Sequence, residues 1–172
     1  LQAIKKGKNV IILIPEIILS KQMESRFIRY FGDKVAIWHS KVSNSDKQET
    51  IKRIKNKEVQ VIVGARSCIF SPISNIGLIV VDEEQDSSYK QESPKPYYNA
   101  RDIALIRATY SKCPIVLTTA TPSLESYYNS VINKLEIITL NKKYYQSKTP
   151  EIKIINMLDN LHENCTQRIL SQ

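Results

Sequence analysis

The run Leu78-Ile79-Val80-Val81-Asp82-Glu83-Glu84-Gln85 carries a short apolar segment directly into three consecutive carboxylates and an amide. Apolar, β-rich residues without polar alternation suit a strand covered on both faces, the kind that parallel sheets contain. Parallel sheets gather the C-terminal ends of their strands at one edge, where ligands bind. The run therefore predicts an α/β fold with acid chemistry at the sheet edge. Similar runs lie at Val10–Ile14, Val35–Trp38, Val59–Val63, Ile115–Thr118 and Glu136–Leu140. The polar stretches between them are long enough for crossover helices, so the sheet should be mainly parallel with helices on both faces.

The first crossover begins at Ser20, a good N-cap, and carries Leu19, Met23, Phe27 and Phe31 as one apolar stripe ending near Gly32. A second begins near Ser43, with Asp46 three residues on, and turns Ile51 and Ile54 inward. Its outer face shows Lys47, Lys52, Arg53, Lys55 and Lys57, a pattern that suits either a solvated surface or a nucleic-acid contact. A third helix is expected over Asn99–Lys112, with Ala100, Ile103, Ala104 and Ile106 on one side, and a fourth after Pro122, whose ring suits a first helical turn. Residues 1–140 read as one domain. The polar stretch 141–172, with a last strand-like run at Glu151–Met157, reads as a connector leaving it.

Composition narrows the function. The 172 residues are 42% hydrophobic and 24% charged with 4 Gly and 7 Pro, which excludes collagen-like and low-complexity material. The formal charge of +8 lies in the first third, because 13 of the 25 Lys and Arg but 5 of the 17 Asp and Glu fall within residues 1–57. No apolar run approaches the roughly 18 residues that span a bilayer, and Leu1-Gln2-Ala3-Ile4-Lys5-Lys6 does not resemble a secretory signal, so a soluble intracellular protein is expected. Cys68, Cys113 and Cys165 stand apart without a C-x-x-C pair, which excludes a readable disulfide framework or zinc site.

Adjacent carboxylates at a strand end suit magnesium nucleotide chemistry. One holds the hydrated ion and its neighbour, pointing the other way along the backbone, orients the attacking water. An acidic helix N-terminus would look the same. A second apolar strand, Pro114-Ile115-Val116-Leu117-Thr118, runs into Thr119-Ala120-Thr121-Pro122-Ser123, whose hydroxyls can hydrogen-bond to the acidic strand end or serve a routine turn. Between the two lies a proline-broken stretch, residues 86–102, in which Tyr89, Tyr97 and Tyr98 alternate with Lys90, Lys95 and Arg101. Aromatic faces beside cations are the materials of single-strand nucleic-acid grooves and also of ordinary surface loops.

Five runs, in order and spacing, resemble the PriA-type primosomal replication-restart helicases: Ile14-Pro15-Glu16-Ile17, Gly64-Ala65-Arg66-Ser67, Ile79 through Gln91, Tyr98-Asn99-Ala100-Arg101-Asp102, and Thr119 through Ser126. The resemblance covers nearly all of residues 1–157. It implies part of the first RecA-like lobe, of the P-loop NTPase type, in an ATP-dependent 3′-to-5′ DNA helicase that acts in primosome assembly and fork restart. ATP and Mg²⁺ are the implied cofactors. Carried over by position, Asp82 would hold Mg²⁺ through water, Glu83 would position the hydrolytic water, and Glu84 and Gln85 would complete the catalytic run, Gln85 standing where His is common. Thr119, Thr121 and Ser123 would couple nucleotide state to DNA. Pro15, Glu16, Arg66 and Ser67 would face DNA, and Tyr89, Lys90, Tyr97, Tyr98 and Arg101 match an aromatic-rich loop that links DNA binding to hydrolysis.

The implied partners are single-stranded and forked DNA with primosome and replisome proteins, and the implied setting is a cytoplasmic, nucleoid-associated bacterial monomer. The phosphate-cradling pattern G-x-x-x-x-G-K-[ST] is not among the 172 residues: Gly7-Lys8 is followed by Asn9. The fold is therefore expected to be incomplete at its N-terminus, and the chain by itself to lack ATPase activity. Zinc-binding cysteines and a second lobe belong, by the resemblance, beyond residue 172. Two other readings stay open. A non-catalytic nucleic-acid-binding module would have no upstream P-loop in the gene, and a different superfamily 2 translocase would have no downstream cysteine cluster.

Overall fold

The computed structural model describes residues 2–141. The Glu151–Met157 run and the proposed connector beyond residue 141 lie outside them. A compact unit spans Leu1–Leu135, with the chain from Glu136 onward grouped apart.

The chain runs α1 (Gln2–Lys5), β1 (Asn9–Leu13), α2 (Lys21–Phe31), β2 (Val35–Trp38), α3 (Asn44–Lys55), β3 (Val61–Gly64), β4 (Ile76–Val81), β5 (Lys90–Gln91), β6 (Tyr98–Asn99), α4 (Ala100–Ser111), β7 (Ile115–Leu117) and α5 (Leu124–Val131). Five strands form one sheet in the order β2-β3-β1-β4-β7. Every pair in it is parallel: β1 runs beside β3 from Val10↔Val61 to Leu13↔Gly64 and beside β4 from Val10↔Leu78 to Leu13↔Val81. β2 meets β3 from Val35↔Val61 to Trp38↔Gly64, and β4 meets β7 from Ile79↔Ile115 to Val81↔Leu117.

Right-handed crossovers decide which face each helix covers. The step from β1 to β2 moves across the sheet in one direction, whereas β2 to β3, β3 to β4 and β4 to β7 move in the other. Accordingly α2 packs Phe27 and Phe31 on one face, against Val10, Val61 and Val63, with Ala3 and Ile4 of α1 beside them. The opposite face is covered by Ile54 of α3, Cys68 and Ile69 of the 3₁₀ turn Arg66–Phe70, and Ala100, Ala104 and Ala108 of α4. Successive strand residues feed opposite faces, as the period of two requires: Ile11 and Leu13 face one cluster, Val10 and Ile14 the other.

Side-chain caps start the helices. Ser20 accepts from the Met23 amide, Ser43 from Asp46, Asn99 from Arg101 and Ser123 from Ser126. Several expectations are corrected. Leu19 is buried ahead of the α2 cap rather than on the helix. Ile106 is 51% exposed, since two residues past Ala104 is about 200° around a helix; Ala108 takes the inward place. Pro122 precedes the cap of α5, because Ser123 must stay extended for its hydroxyl to reach back. Glu136–Leu140 forms no strand, as apolar residues make a strand only where a neighbour completes the hydrogen-bond ladder. The ribbon of β5 and β6, antiparallel with Lys90↔Asn99 and Gln91↔Tyr98, was not expected at all.

Gly64 ends β3 opposite Trp38 of β2. A Cβ there would lie 1.8 Å from the Trp38 carbonyl oxygen and 2.8 Å from Cys68 Cβ. Gly64→Ala should therefore destabilise the fold by at least the about 1–3 kcal/mol typical of overpacking, read as a lowered urea midpoint; an unchanged midpoint would refute the tight packing of β2 on β3. The buried Cys68 thiol, pushed up to about 12 by desolvation, should resist alkylation at neutral pH until urea unfolds the protein.

Candidate active site at the sheet edge

Because all five strands are parallel, Glu16, Ser40, Arg66, Asp82 and Thr118 emerge at one edge. Asp82 leaves β4 with its amide on Leu13 O at 2.9 Å, and its Oδ1 accepts from Thr118 Oγ1 at 2.5 Å. The hydroxyl on Asp82 is thus that of Thr118, directly after β7, and not one of the Thr119–Ser123 run. Asp82 Oδ2 finds no protein donor among the described residues, which leaves a half-buried carboxylate oxygen at the strand end.

Glu83 adopts a left-handed φ of 48°, uncommon outside glycine. Its Oε2 accepts from Gln85 Nε2 at 2.8 Å, Gln85 Oε1 accepts from Thr119 Oγ1 at 2.6 Å, and Thr119 Oγ1 accepts from the Thr121 amide at 3.0 Å. An amide both donates and accepts, so Gln85 joins Glu83 to the hydroxyl run without a titrating group. Asp82 and the Glu83 relay are the hard-oxygen donors suited to Mg²⁺. Among the described residues no group of three or more His, Cys, Asp or Glu could hold a metal alone, and Mg²⁺ bound through one carboxylate and substrate phosphates needs no such cage.

Glu84 does not join its neighbours. Its side chain has no exposure, and it accepts from the Ser123 amide at 2.7 Å, Ser123 Oγ at 3.0 Å, Ser126 Oγ at 2.8 Å and Arg101 Nη1 at 3.1 Å. Burial pushes its carboxyl up, but the Ser123 amide, the Ser126 and Ser123 hydroxyls and Arg101 together outweigh that and hold it below its usual range. The expected catalytic place of Glu84 is corrected on this ground: no oxygen of it faces solvent. Arg101 is corrected as well. At 7% exposure it is committed to Glu84, to Ser123 Oγ at 2.8 Å and to Asp102 at 3.0 Å, so it is not a free cation for phosphate. Ser123, expected to couple nucleotide state to DNA, caps α5 and donates its amide and hydroxyl to Glu84.

Tyr89 is corrected too. It is 1% exposed and donates its hydroxyl to Asp82 O at 2.6 Å, with burial and then nearby Asp82 raising its pKa, so it props the strand end instead of offering a stacking face. Tyr97, 65% exposed and 5.9 Å from the Lys95 ammonium, keeps such a face. Half-buried Tyr98 packs edge-on against Phe70, centroids 5.1 Å apart. Lys90 is exposed and paired with Glu92 at 2.7 Å, and Arg66 donates to Lys90 O at 3.2 Å, tying the 3₁₀ turn with Ser67 to the ribbon. At the far side the DNA-facing place expected of Pro15 is corrected, since its ring is buried, and half-buried Glu16 accepts from Ser40 Oγ. On α3, Arg53 donates to Asp33 O while Lys52 and Lys55 stay exposed and Lys47 is half-buried.

Removing one partner of a buried pair strands the other, so Glu84→Ala should cost about 3–5 kcal/mol, measured as the loss in urea stability. A carboxyl held below its ordinary 4.5 contributes stability that is present above that pH and lost as pH falls through its folded-state value. Urea midpoints of the native protein should accordingly drop on acidification below 4.5, and those of Glu84→Gln should fall less steeply; parallel curves would refute the charged form.

Residues 1–130 match the family model described as DEAD/DEAH box helicase. The chain is 47% identical over 152 residues to the replication restart protein PriA of Rickettsia felis, covering 88% of this chain and 23% of that protein. It is 42% identical over 160 residues to PriA of Bacillus subtilis, covering 93% and 20%, and 39% identical over 171 residues to PriA of Chlamydia pneumoniae, covering 99% and 23%. The chain thus spans between a fifth and a quarter of the length of these relatives. Among solved structures, RecG bound to a three-way DNA junction superposes with a TM-score of 0.48 at 20% identity, covering 76% of this chain and 16% of that one.

Proposed function

The chain belongs to the DEAD/DEAH box helicase family, and on that premise we propose that it forms part of the first RecA-like lobe of an ATP-dependent 3′-to-5′ DNA helicase serving primosome assembly and replication restart. The observation that carries the reading is the relay from Thr121 and Thr119 through Gln85 to Glu83, beside the open oxygen of Asp82.

In this reading Asp82, held by Thr118, takes Mg²⁺ through water. The bound ion supplies charge neutralisation on the transferring phosphoryl group. Glu83 orients the attacking water and accepts its proton, and Thr119 reports strand movement to it through Gln85. DNA, single-stranded or forked, is contacted from the same edge by Glu16, Arg66, Ser67, Lys90 and Tyr97, with Tyr98 supporting them from its place against Phe70. The exposed lysines of α3 add attraction for phosphates. Primosome and replisome proteins are the proposed partners. No helix among the described residues is long and apolar enough to cross a membrane, and the proposed setting is the bacterial cytoplasm, near the nucleoid, as a monomer. Zinc is a further proposed cofactor of the complete gene product, its ligands lying outside these 172 residues.

In the complete gene product, Glu83→Gln should lower ATP hydrolysis by about 10²–10⁴-fold while leaving nucleotide binding intact; hydrolysis at the native rate would refute the assignment. The 172 residues by themselves carry no phosphate-cradling lysine loop, and their own turnover should be negligible, so DNA-stimulated hydrolysis by this chain that Glu83→Ala abolishes would overturn that expectation. The two tyrosines should part company. Tyr97→Ala should weaken single-strand binding by the about 1–3 kcal/mol of a lost stacking face, whereas Tyr89→Ala should spare the stacking face and lower the urea midpoint.

A further inference from the structure

A parallel sheet has two edges. The one opposite the acidic rim collects the loops that enter the strands: 6–8 before β1, 32–34 before β2, 56–60 before β3, 71–75 before β4 and 112–114 before β7. These loops hold five lysines, Lys6, Lys8, Lys34, Lys57 and Lys112, against two acids, Asp33 and Glu58. All five lysines are exposed, and none has an ion-pair partner among the described residues. Glu58 is bonded to Arg53 and Asn56, and Lys8 gives one of its three donors to Asn75 Oδ1 at 2.8 Å. Arg26 and Arg29, in the half of α2 that returns to this edge, are exposed and without an ion pair as well. Lys6 and Lys112 are far apart in sequence, and the fold sets them along one basic edge.

A lysine near a helix C-terminus also suits the helix dipole, but one inside the last turn does so at no backbone cost, and α3 already carries Lys52, Arg53 and Lys55 there. Lys57 and Lys112 instead hold φ of 61° and 49°, the left-handed conformation that Gly7 and Gly32 take after α1 and α2. Glycine enters that region freely and lysine does not. The charge, not the backbone, accounts for lysine at these two places.

The occupant follows from what the edge lacks. Its five loops contain no Phe, Tyr or Trp and none of the exposed large apolar side chains. A protein partner would need an apolar centre to bury, and a single strand would need aromatic faces for its bases. A duplex backbone needs only cations. Strands lie about 4.8 Å apart, so from Lys34 at β2 to Lys112 at β7 the lysines spread over about 19 Å. Each strand of a duplex presents a charge about every 3.4 Å of axis, which lets one backbone meet several of them.

We propose that this edge binds the phosphate backbone of a nucleic-acid duplex without regard to sequence, at a site separate from the rim. Nothing at this edge takes part in the proposed hydrolysis, so duplex binding decides the matter even where turnover is nil.

The test uses the complete gene product, a short blunt DNA duplex of arbitrary sequence, and the double variant Lys34→Gln, Lys112→Gly. Glycine at 112 removes the charge and eases the backbone, so the urea midpoint should not fall. Duplex Kd should rise about tenfold, single-strand Kd should stay within about twofold, and the slope of log K against log salt should become shallower by about 1.8, since each neutralised phosphate contributes about 0.9. The control Lys52→Gln, Lys55→Gln removes the same charge from α3 and should weaken duplex binding less. Acetylation footprints read the edge directly: bound duplex should slow modification of Lys34 and Lys112 about tenfold, and bound single strand should not. Footprints unchanged by duplex overturn the site. Equal losses in the control overturn it in favour of general charge attraction, and polyglutamate that competes as well as duplex of equal charge overturns the nucleic-acid assignment in favour of an acidic protein.

Discussion

The structure hangs on the parallel pairing of β1 with β3 on one side and β4 on the other. β1 is the central strand, with Ile11 and Leu13 fully buried and both sets of its backbone groups engaged. Its neighbours must run the same way, since each returns through a crossover, and the handedness of those crossovers distributes α2 to one face and α3 and α4 to the other. A parallel arrangement leaves one consequence that side chains cannot undo. Every strand ends at the same edge, so segments far apart in sequence, from Glu16 to Ser123, share one rim.

At that rim three successive carboxylates occupy three different environments. Asp82 is partly wet, with one oxygen held by Thr118 and one without a protein donor; Glu83 is turned by its backbone into a hydrogen-bonded relay; Glu84 is sunk among four donors. The same side-chain chemistry thus yields an oxygen without a protein donor, an acceptor in a side-chain relay and a structural peg. Backbone direction and solvent access make the difference, because a carboxylate out of water must be satisfied by donors whereas a wet one keeps its lone pairs for a ligand. Gln85 fits this division, as an amide passes a hydrogen bond from Thr119 to Glu83 at any physiological pH.

Much of this was legible beforehand. The runs at Val35–Trp38 and Leu78–Val81 became strands because a parallel strand buried on both faces has no polar alternation to disguise it, and Ser20, Ser43 and Asn99 marked helix starts because capping is a local matter of one side chain and one amide. Residues whose fate depends on distant partners were misread. Tyr89 and Arg101 look like a loop tyrosine and a free cation in one dimension. Their partners, Asp82 O and Glu84, stand seven and seventeen positions away. Glu136–Leu140 has strand-like letters, but a strand exists only in a ladder. Ile106 was assigned inward on hydrophobicity, where the angular step from Ala104 carries it outward.

By itself the sequence determined the α/β class, the parallel sheet, the helix starts and the two hydroxyl and carboxylate runs that identify the rim, because each depends on residue type within a few positions. Tertiary structure alone decided which carboxylate keeps an oxygen without a protein donor, which tyrosine faces solvent, and that Arg101 closes a buried junction. Those outcomes depend on burial, and burial is set by what the far parts of the chain bring to the same place.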